Sequence, residues 1–468
     1  MSIRFSRLVW ELTLPVLLWL SPARARSQPP QSAASAAMDG DFQAAMAAED
    51  RGDMERAQAL LSRLHNEHPG IFAVDESLGL LYARREDFRR ALPLLQAAAG
   101  ELPSSDAAHA NLGATLYRLH LSREALDEFE RAVHINPGNA SAQESLGRLW
   151  MENRKPGEAA KAFTAALRLK PADPDLQLDC VTALLAADRL DEARKILSTF
   201  ADADQSARAQ SLLGEADEKA GKFQSAAKHF ARAVELEPSE ENAWQLSLEF
   251  LRHWTFNAAV TEFEAASAKF PDSKRLRLGL GAALFGNAQY PKAVPVFADL
   301  LATDPNNSLY AELLGLSCDA PAYNISPRCA ELVAYAQAHP TNAQAAAYAA
   351  AFLAVSHPDT EGLATARKLL ARAIAADPNQ PDAQFEMGVV LQDCQDWKAS
   401  IPYLEHAVKL KPDFAIAHYH LARAYWKTGR RQDGQAQLQL QQKFVHQQQQ
   451  DLDRRLRQIT RFVVDIQQ

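Results

Sequence analysis

An all-α solenoid, built of antiparallel helix pairs stacked one after another, is predicted by three observations. Residues 106 to 173 hold two consecutive 34-residue units whose marked positions are identical. Leu112, Gly113, Ala125, Phe129, Ala132 and Pro137 return as Leu146, Gly147, Ala159, Phe163, Ala166 and Pro171. Prolines close the units at a near-constant period from Pro69 to Pro412, with steps of 34, 34, 34, 67, 33, 34, 35, 38 and 34. The composition is helical throughout, 47% hydrophobic with only 19 Gly in 468 residues. One helix pair cannot cover its own apolar face, so several must stack.

Each marked residue has a physical task. Gly113 and Gly147 on the first helix of a unit (helix A), like Ala125 and Ala159 on the second (helix B), lack the bulk that would hold the backbones apart. Phe129 and Phe163 fill the space between neighbouring helices, a burial worth roughly 1.5–3 kcal/mol each. Pro137 and Pro171 lack an N–H and push the preceding residue out of the α region, so helix B stops there. These residues are core, not site.

The pattern of Leu-Gly on helix A, Ala-x3-Phe-x2-Ala on helix B and a closing proline resembles the tetratricopeptide repeat. The resemblance runs from about Met38 to about Leu440 and implies a right-handed α-solenoid of about twelve units. Most units keep it: Leu78, Gly79, Ala91, Leu95 and Ala98; Leu213, Gly214, Ala226, Phe230 and Ala233; Leu280, Gly281, Ala293 and Phe297; Met387, Gly388, Leu404 and Ala407. The step of 67 hides a unit whose proline is replaced near Gln205 and in which Cys180 and Val181 stand for Leu-Gly. The first unit, with Ala57 and Leu61 but no Leu-Gly, suits a terminal cap.

In chain order, residues 1–25 are laid out as a secretory signal: Arg4 and Arg7, an apolar run from Leu12 to Leu20, then Ala23-Arg-Ala25 as a small-x-small cleavage site. That run is too short to span a bilayer. Glu11, Arg24 and Arg26 depart from the usual pattern, and the alternative address is cytoplasmic. Removing 1–25 takes the formal charge from −8 to −10, against a nucleic-acid partner in either case. Residues 26–37 read as a flexible leader and 38–305 as an N-terminal repeat array. Residues 306–358 are an irregular stretch with a cysteine loop, and 359–440 a second array. Residues 441–468 form a Gln-rich, amphipathic tail. Its Leu452, Leu456, Ile459, Val463 and Ile466 make one stripe, either capping the last repeat or forming a seam for self-association.

Cys180 and Cys394 fall inside helical patterns as small buried hydrophobes. Cys318 and Cys329 flank a turn longer than in other units and can pair in an exported protein; no metal-binding spacing is present. His65 with His68, and His418 with His420, lack a third ligand and read as surface residues. Asp173, Asp175 and Asp191 fall at helix starts or exposed faces, the helix-start acids favouring the dipole. No catalytic or cofactor motif appears, so neither enzyme activity nor a cofactor is expected.

The resemblance implies that helix A lines a groove holding a peptide or protein. Carried onto this sequence, the groove positions give Arg84, Tyr117, Arg118 and Arg148 near the N-terminal end. The centre has Arg208, Trp244, Leu248, Leu251, Arg252, Arg275, Leu278 and Phe285, and the C-terminal end Phe385, Tyr419, Arg423, Trp426 and Lys427. Aromatics flanked by arginine are hot-spot composition, though Trp244 and Trp426 can equally pack on the next helix. Two specialised grooves of the family are not supported. The chaperone-tail clamp needs Lys and Asn where Glu76 and Leu80 stand. The asparagine ladder of O-GlcNAc transferases has only Asn111, beside Ser77, Ser145 and Gln245. The functional expectation is a non-enzymatic interaction scaffold serving assembly at the cell envelope. A self-associating structural protein and a regulatory subunit of a separate enzyme are the alternatives.

Overall fold

A computed structural model describes residues 33–319 and 326–445, which are helical with no strand among them. The signal-like segment 1–25 and the apolar stripe beyond 451 lie outside the described residues. The chain divides into two compact units, one ending at Ala201 and the other beginning at Asp202. This division falls inside the 67-residue proline step, where the missing proline leaves a different connection, rather than in the irregular stretch 306–358.

The first unit pairs α1 (Ala33–Asp50) with α2 (Met54–Glu67), α3 (Phe72–Arg84) with α4 (Phe88–Glu101) and α5 (Asp106–Arg118) with α6 (Ser122–Ile135). It continues with α7 (Ala140–Glu152) against α8 (Pro156–Leu169), and α9 (Pro174–Ala186) against the short α10 (Leu190–Leu197). Helix α1 corrects the expected leader over 26–37: it begins at Ala33, because the run from Ala33 to Ala37 carries the strongest helix former four times.

The second unit opens with a 3-10 turn, Ala203–Gln205, before α11 (Ala207–Lys219) and α12 (Phe223–Leu236). Then come α13 (Glu240–Arg252) with α14 (Phe256–Lys269), and α15 (Lys274–Gly286) with α16 (Tyr290–Thr303). In the irregular stretch α17 (Ser308–Asp319) is followed by a 3-10 turn, Pro327–Ala330, that runs into the short α18 (Glu331–Ala338). Next are α19 (Ala343–Ser356) with α20 (Thr360–Ala376), α21 (Pro381–Asp393) with α22 (Trp397–Leu410), and α23 (Ala415–Lys427) before a last helix over 431–445. A disulfide joins Cys318 to Cys329, with Cα atoms 6.0 Å apart. Alanine-rich α19 is buried on most of its circumference, from Ala345 to Ala350, and touches α21 as well as its partner α20.

Packing follows one rule in both units. A Cβ on the helix A glycine would strike the side chain sixteen residues later: Gly113 meets Phe129, Gly147 Phe163, Gly214 Phe230, Gly281 Phe297, and Gly79 Leu95. Phe163, Phe263 and Phe297 are among the largest fully buried side chains. The turn from A to B has a rule of its own. Gly52, Glu86, His120, Arg154, Asp188, Gly221, Trp254, Ala288, Gln395 and Gly429 all have φ between +56° and +87°, one in each of ten turns, while the turn from α19 to α20 does without one. The next N–H then returns to a carbonyl five residues back, as from Asp87 to Tyr82 or Lys155 to Trp150. That six-residue closure satisfies helix A's last carbonyls and needs the left-handed residue.

Two cysteine and histidine readings are corrected. Cys180 is buried, but Cys394 is exposed at the C-cap of α21. His418 is no surface residue: it is buried, with Nδ1 2.6 Å from Gln437 Oε1 and Nε2 2.9 Å from the Pro412 carbonyl. His420, half-buried, bonds Gln392 Oε1 at 2.9 Å. His65 reaches the buried Asp75 at 2.5 Å.

Candidate functional site

Helices A of consecutive repeats lie side by side, α3 with α5, α5 with α7 and α13 with α15. Residues one repeat plus one position apart therefore meet across that face. Arg84 bonds Glu49, Asn111 donates to Glu76 at 3.2 Å, and Tyr117 donates to Glu152. Arg275 binds Glu240 at 2.7 Å, and His253 binds Glu218 at 3.0 Å. Each of these pairs spans 35 residues.

This ladder engages much of the expected groove from within. In the first unit Arg148 lies 2.6 Å from Glu144 and 3.6 Å from Asp179. Arg118 sits 4.5 Å over the Phe88 ring and 3.3 Å from Glu86. Burial first, and then the bond to Glu152, pushes the Tyr117 hydroxyl up to about 12. Burial also raises Glu76, against the bond from Asn111.

The central patch folds back on its own core. Trp244 meets Phe263 edge-on at 5.8 Å, and Arg275, held by both Glu240 and Glu241 at 2.7 Å, lies 5.6 Å over the indole. Leu251, Leu278 and Phe285 are half-buried against the same cluster, and Leu248 and Arg208 are also half-buried. Arg252 is exposed.

The C-terminal patch differs. Tyr419 and Trp426 on α23 keep 39% and 40% of their surface exposed, and Ile416, three residues before Tyr419, keeps 47%. Arg423 lies between them, 5.8 Å from the Tyr419 ring and 5.4 Å from Trp397, over which Lys427 also sits at 5.6 Å. Trp397, at the start of α22, was not legible as part of this patch because it belongs to helix B. Phe385 is corrected: it is 8% exposed, packed on Phe414 at 4.9 Å, and belongs to the core.

A cleft of about 580 Å³ opens elsewhere, lined by turn and helix-end residues between repeats, among them Tyr335, His339, Asn342, Gln344, Asp377 and Gln380. None of the groove residues lines it.

A separate cluster joins α11 to α13. Glu218, Glu249 and His253 bring one donor atom each within 4.8 Å of one another. Glu249 is fully buried, and burial raises its carboxyl. Burial opposes charge on His253, but the two carboxylates outweigh it and lift the imidazole to about 9. Burial likewise works against charge on Glu218, where the His253 bond prevails and holds the carboxyl low.

Fold and face together define a helical-repeat scaffold of the kind that supports protein interaction. Models described as tetratricopeptide repeat match residues 39–70, 76–140, 111–174, 150–216, 255–316 and 391–440, more than half of the chain. The chain belongs to the tetratricopeptide repeat family, whose members are generally non-catalytic. A comparison with curated proteins finds no match. Among solved structures it is similar to pilF of Pseudomonas aeruginosa, at 21% identity over 45% of this chain and 96% of that one, with a TM-score of 0.37. YrrB, described as having an unusual peptide-binding site, shares 20% identity over 39% of this chain and 94% of its own, at 0.37. A repeat protein of Parabacteroides merdae shares 15% over 53% and 99%, also at 0.37. Likenesses at these scores carry no weight for function. Among the described residues no helix is long and apolar enough to cross a membrane.

Proposed function

We propose that this chain is an exported, non-enzymatic scaffold that grips a peptide or protein segment on its helix A face, serving assembly at the cell envelope. The observation that carries the reading is the α23 face, where exposed Tyr419 and Trp426 flank Arg423. Apolar area that can be desolvated beside a cation is what concentrates binding energy at interfaces. The helix A arginines named above in the first unit are already paired, so that end supplies shape more than free charge. Export rests on the layout of residues 1–25 alone.

The test is affinity capture by residues 26–468 from the protein's own cells, beside a Tyr419→Ala, Trp426→Ala variant with the same circular dichroism and melting curve. A partner held by the parent and lost by the variant supports the reading; equal capture by both sinks the α23 face. Fractionation with N-terminal sequencing checks export, and an intact Met1 in the cytoplasm would remove that part.

A further inference from the structure

We propose that Glu218, Glu249 and His253 form a site for one zinc-class divalent cation that pins α11 to α13. Glu218 Oε2 lies 3.0 Å from His253 Nε2, and Glu249 Oε1 lies 3.4 Å from the same nitrogen. Ligands at about 2.0–2.1 Å from a tetrahedral ion are separated by about 3.3 Å, so both carboxylate–imidazole separations are already close to what such an ion requires, and all three donor atoms lie within 4.8 Å of one another. Hydrogen bonding leaves the cluster incomplete. A single Nε2–H cannot satisfy both carboxylates; it serves Glu218, and the fully buried Glu249 is left with an ion-pair approach to the same nitrogen and no hydrogen bond at either oxygen. A buried carboxylate left in that condition is costly. A cation at the centre would bind both carboxylates and the imidazole at once.

The donor set selects the class of ion. Two carboxylates and one imidazole nitrogen suit zinc or a neighbouring transition ion, whereas calcium and magnesium favour all-oxygen shells. The Phe223 ring, at 3.9 Å, fixes the imidazole plane from the start of α12. Glu218 and His253 keep about a fifth of their side chains exposed, which gives the ion a route in and leaves the fourth position to water. The ligands come from helices A of adjacent repeats, so the ion would add a coordinate link between two repeats that Ser211 and Gln245 already join by a hydrogen bond.

The experiment is a zinc titration of the full chain by competition with a chelator of known affinity, with cobalt(II) absorption as a second readout. The parent is expected to bind one tight equivalent, with a tetrahedral cobalt spectrum and a raised Tm reversed by chelation. Glu218→Gln and His253→Gln are expected to lose that equivalent and at least tenfold in affinity. Both residues are part-exposed, so these variants keep the fold; Glu249→Gln is added as the buried counterpart. No tight equivalent in the parent overturns the site, as does the same equivalent in Glu218→Gln and His253→Gln. Equal affinity for magnesium overturns the assigned class.

Discussion

Gly281 approaches Phe297 so closely that a Cβ on it would stand 2.5 Å from the ring. The same contact recurs at Gly147 with Phe163, at 2.8 Å, so a single residue type sets how near helices A and B come. Phe297 is fully buried and has no room to retreat. Gly281→Ala should therefore destabilise the second unit by about 1–3 kcal/mol through overpacking. Chemical denaturation followed by circular dichroism measures it, and an unchanged midpoint would refute the close-contact account.

Arg154 occupies the left-handed turn after α7 with φ of 57° and is exposed. A side chain there costs roughly 1–2 kcal/mol that glycine avoids, less the extra entropy glycine loses on folding. Arg154→Gly is expected to stabilise the first unit by about 0.5–1 kcal/mol. A lower melting temperature would show that Arg154 makes a contact outweighing the strain.

The disulfide joins Cys318 to Cys329 across a sequence separation of 11. Closing a loop of that length in the unfolded chain is worth about 3 kcal/mol in the chain-entropy model. Replacing both cysteines by serine, or adding reductant, should lower the stability of the second unit by that order. A reductant-insensitive parent would mean the bridge does not form in the purified protein.

His420 titrates in the opposite sense to most histidines that gain partners. Burial, aided by the Arg423 charge, lowers it from 6.5 to about 4. Above pH 6.5 it is neutral folded or unfolded and contributes no pH dependence. As pH falls from 6.5 toward 4 the unfolded chain takes up a proton that the folded chain refuses, so stability is lost across that window. The parent should lose about 1–2 kcal/mol more than His420→Gln between pH 7.5 and 5. Parallel losses in both proteins would place the titrating group elsewhere.

The helix pairs were legible because their determinants are local. Pro137 stops a helix wherever it sits, and Gly147 sixteen residues before Phe163 states its own contact. The left-handed turns were missed because glycine marks only Gly52, Gly221 and Gly429 among those ten. At Glu86, Trp254 or Ala288 the six-residue closure imposes the conformation on a residue that does not advertise it. The leader was misjudged at Ala33 because low complexity was read as flexibility, although alanine is also the best helix former.

The site was less legible. Family positions gave Phe385 and Tyr419 the same standing, yet one is core and the other exposed. His418 and His420 share that lesson, since their environment comes from Gln437, Pro412 and Gln392 rather than from neighbours in sequence.

The sequence by itself determined the repeat, its helices and its packing residues, because each 34-residue unit writes its own small, large and helix-ending positions. Only the tertiary structure decided which helix A side chains stay available. Arg275 is engaged by Glu240, Glu249 is buried beside His253, and Tyr419 is open. The physical reason is that a helix A residue meets partners one repeat away, so its exposure and charge are fixed by the stacking of two units and by neither unit alone.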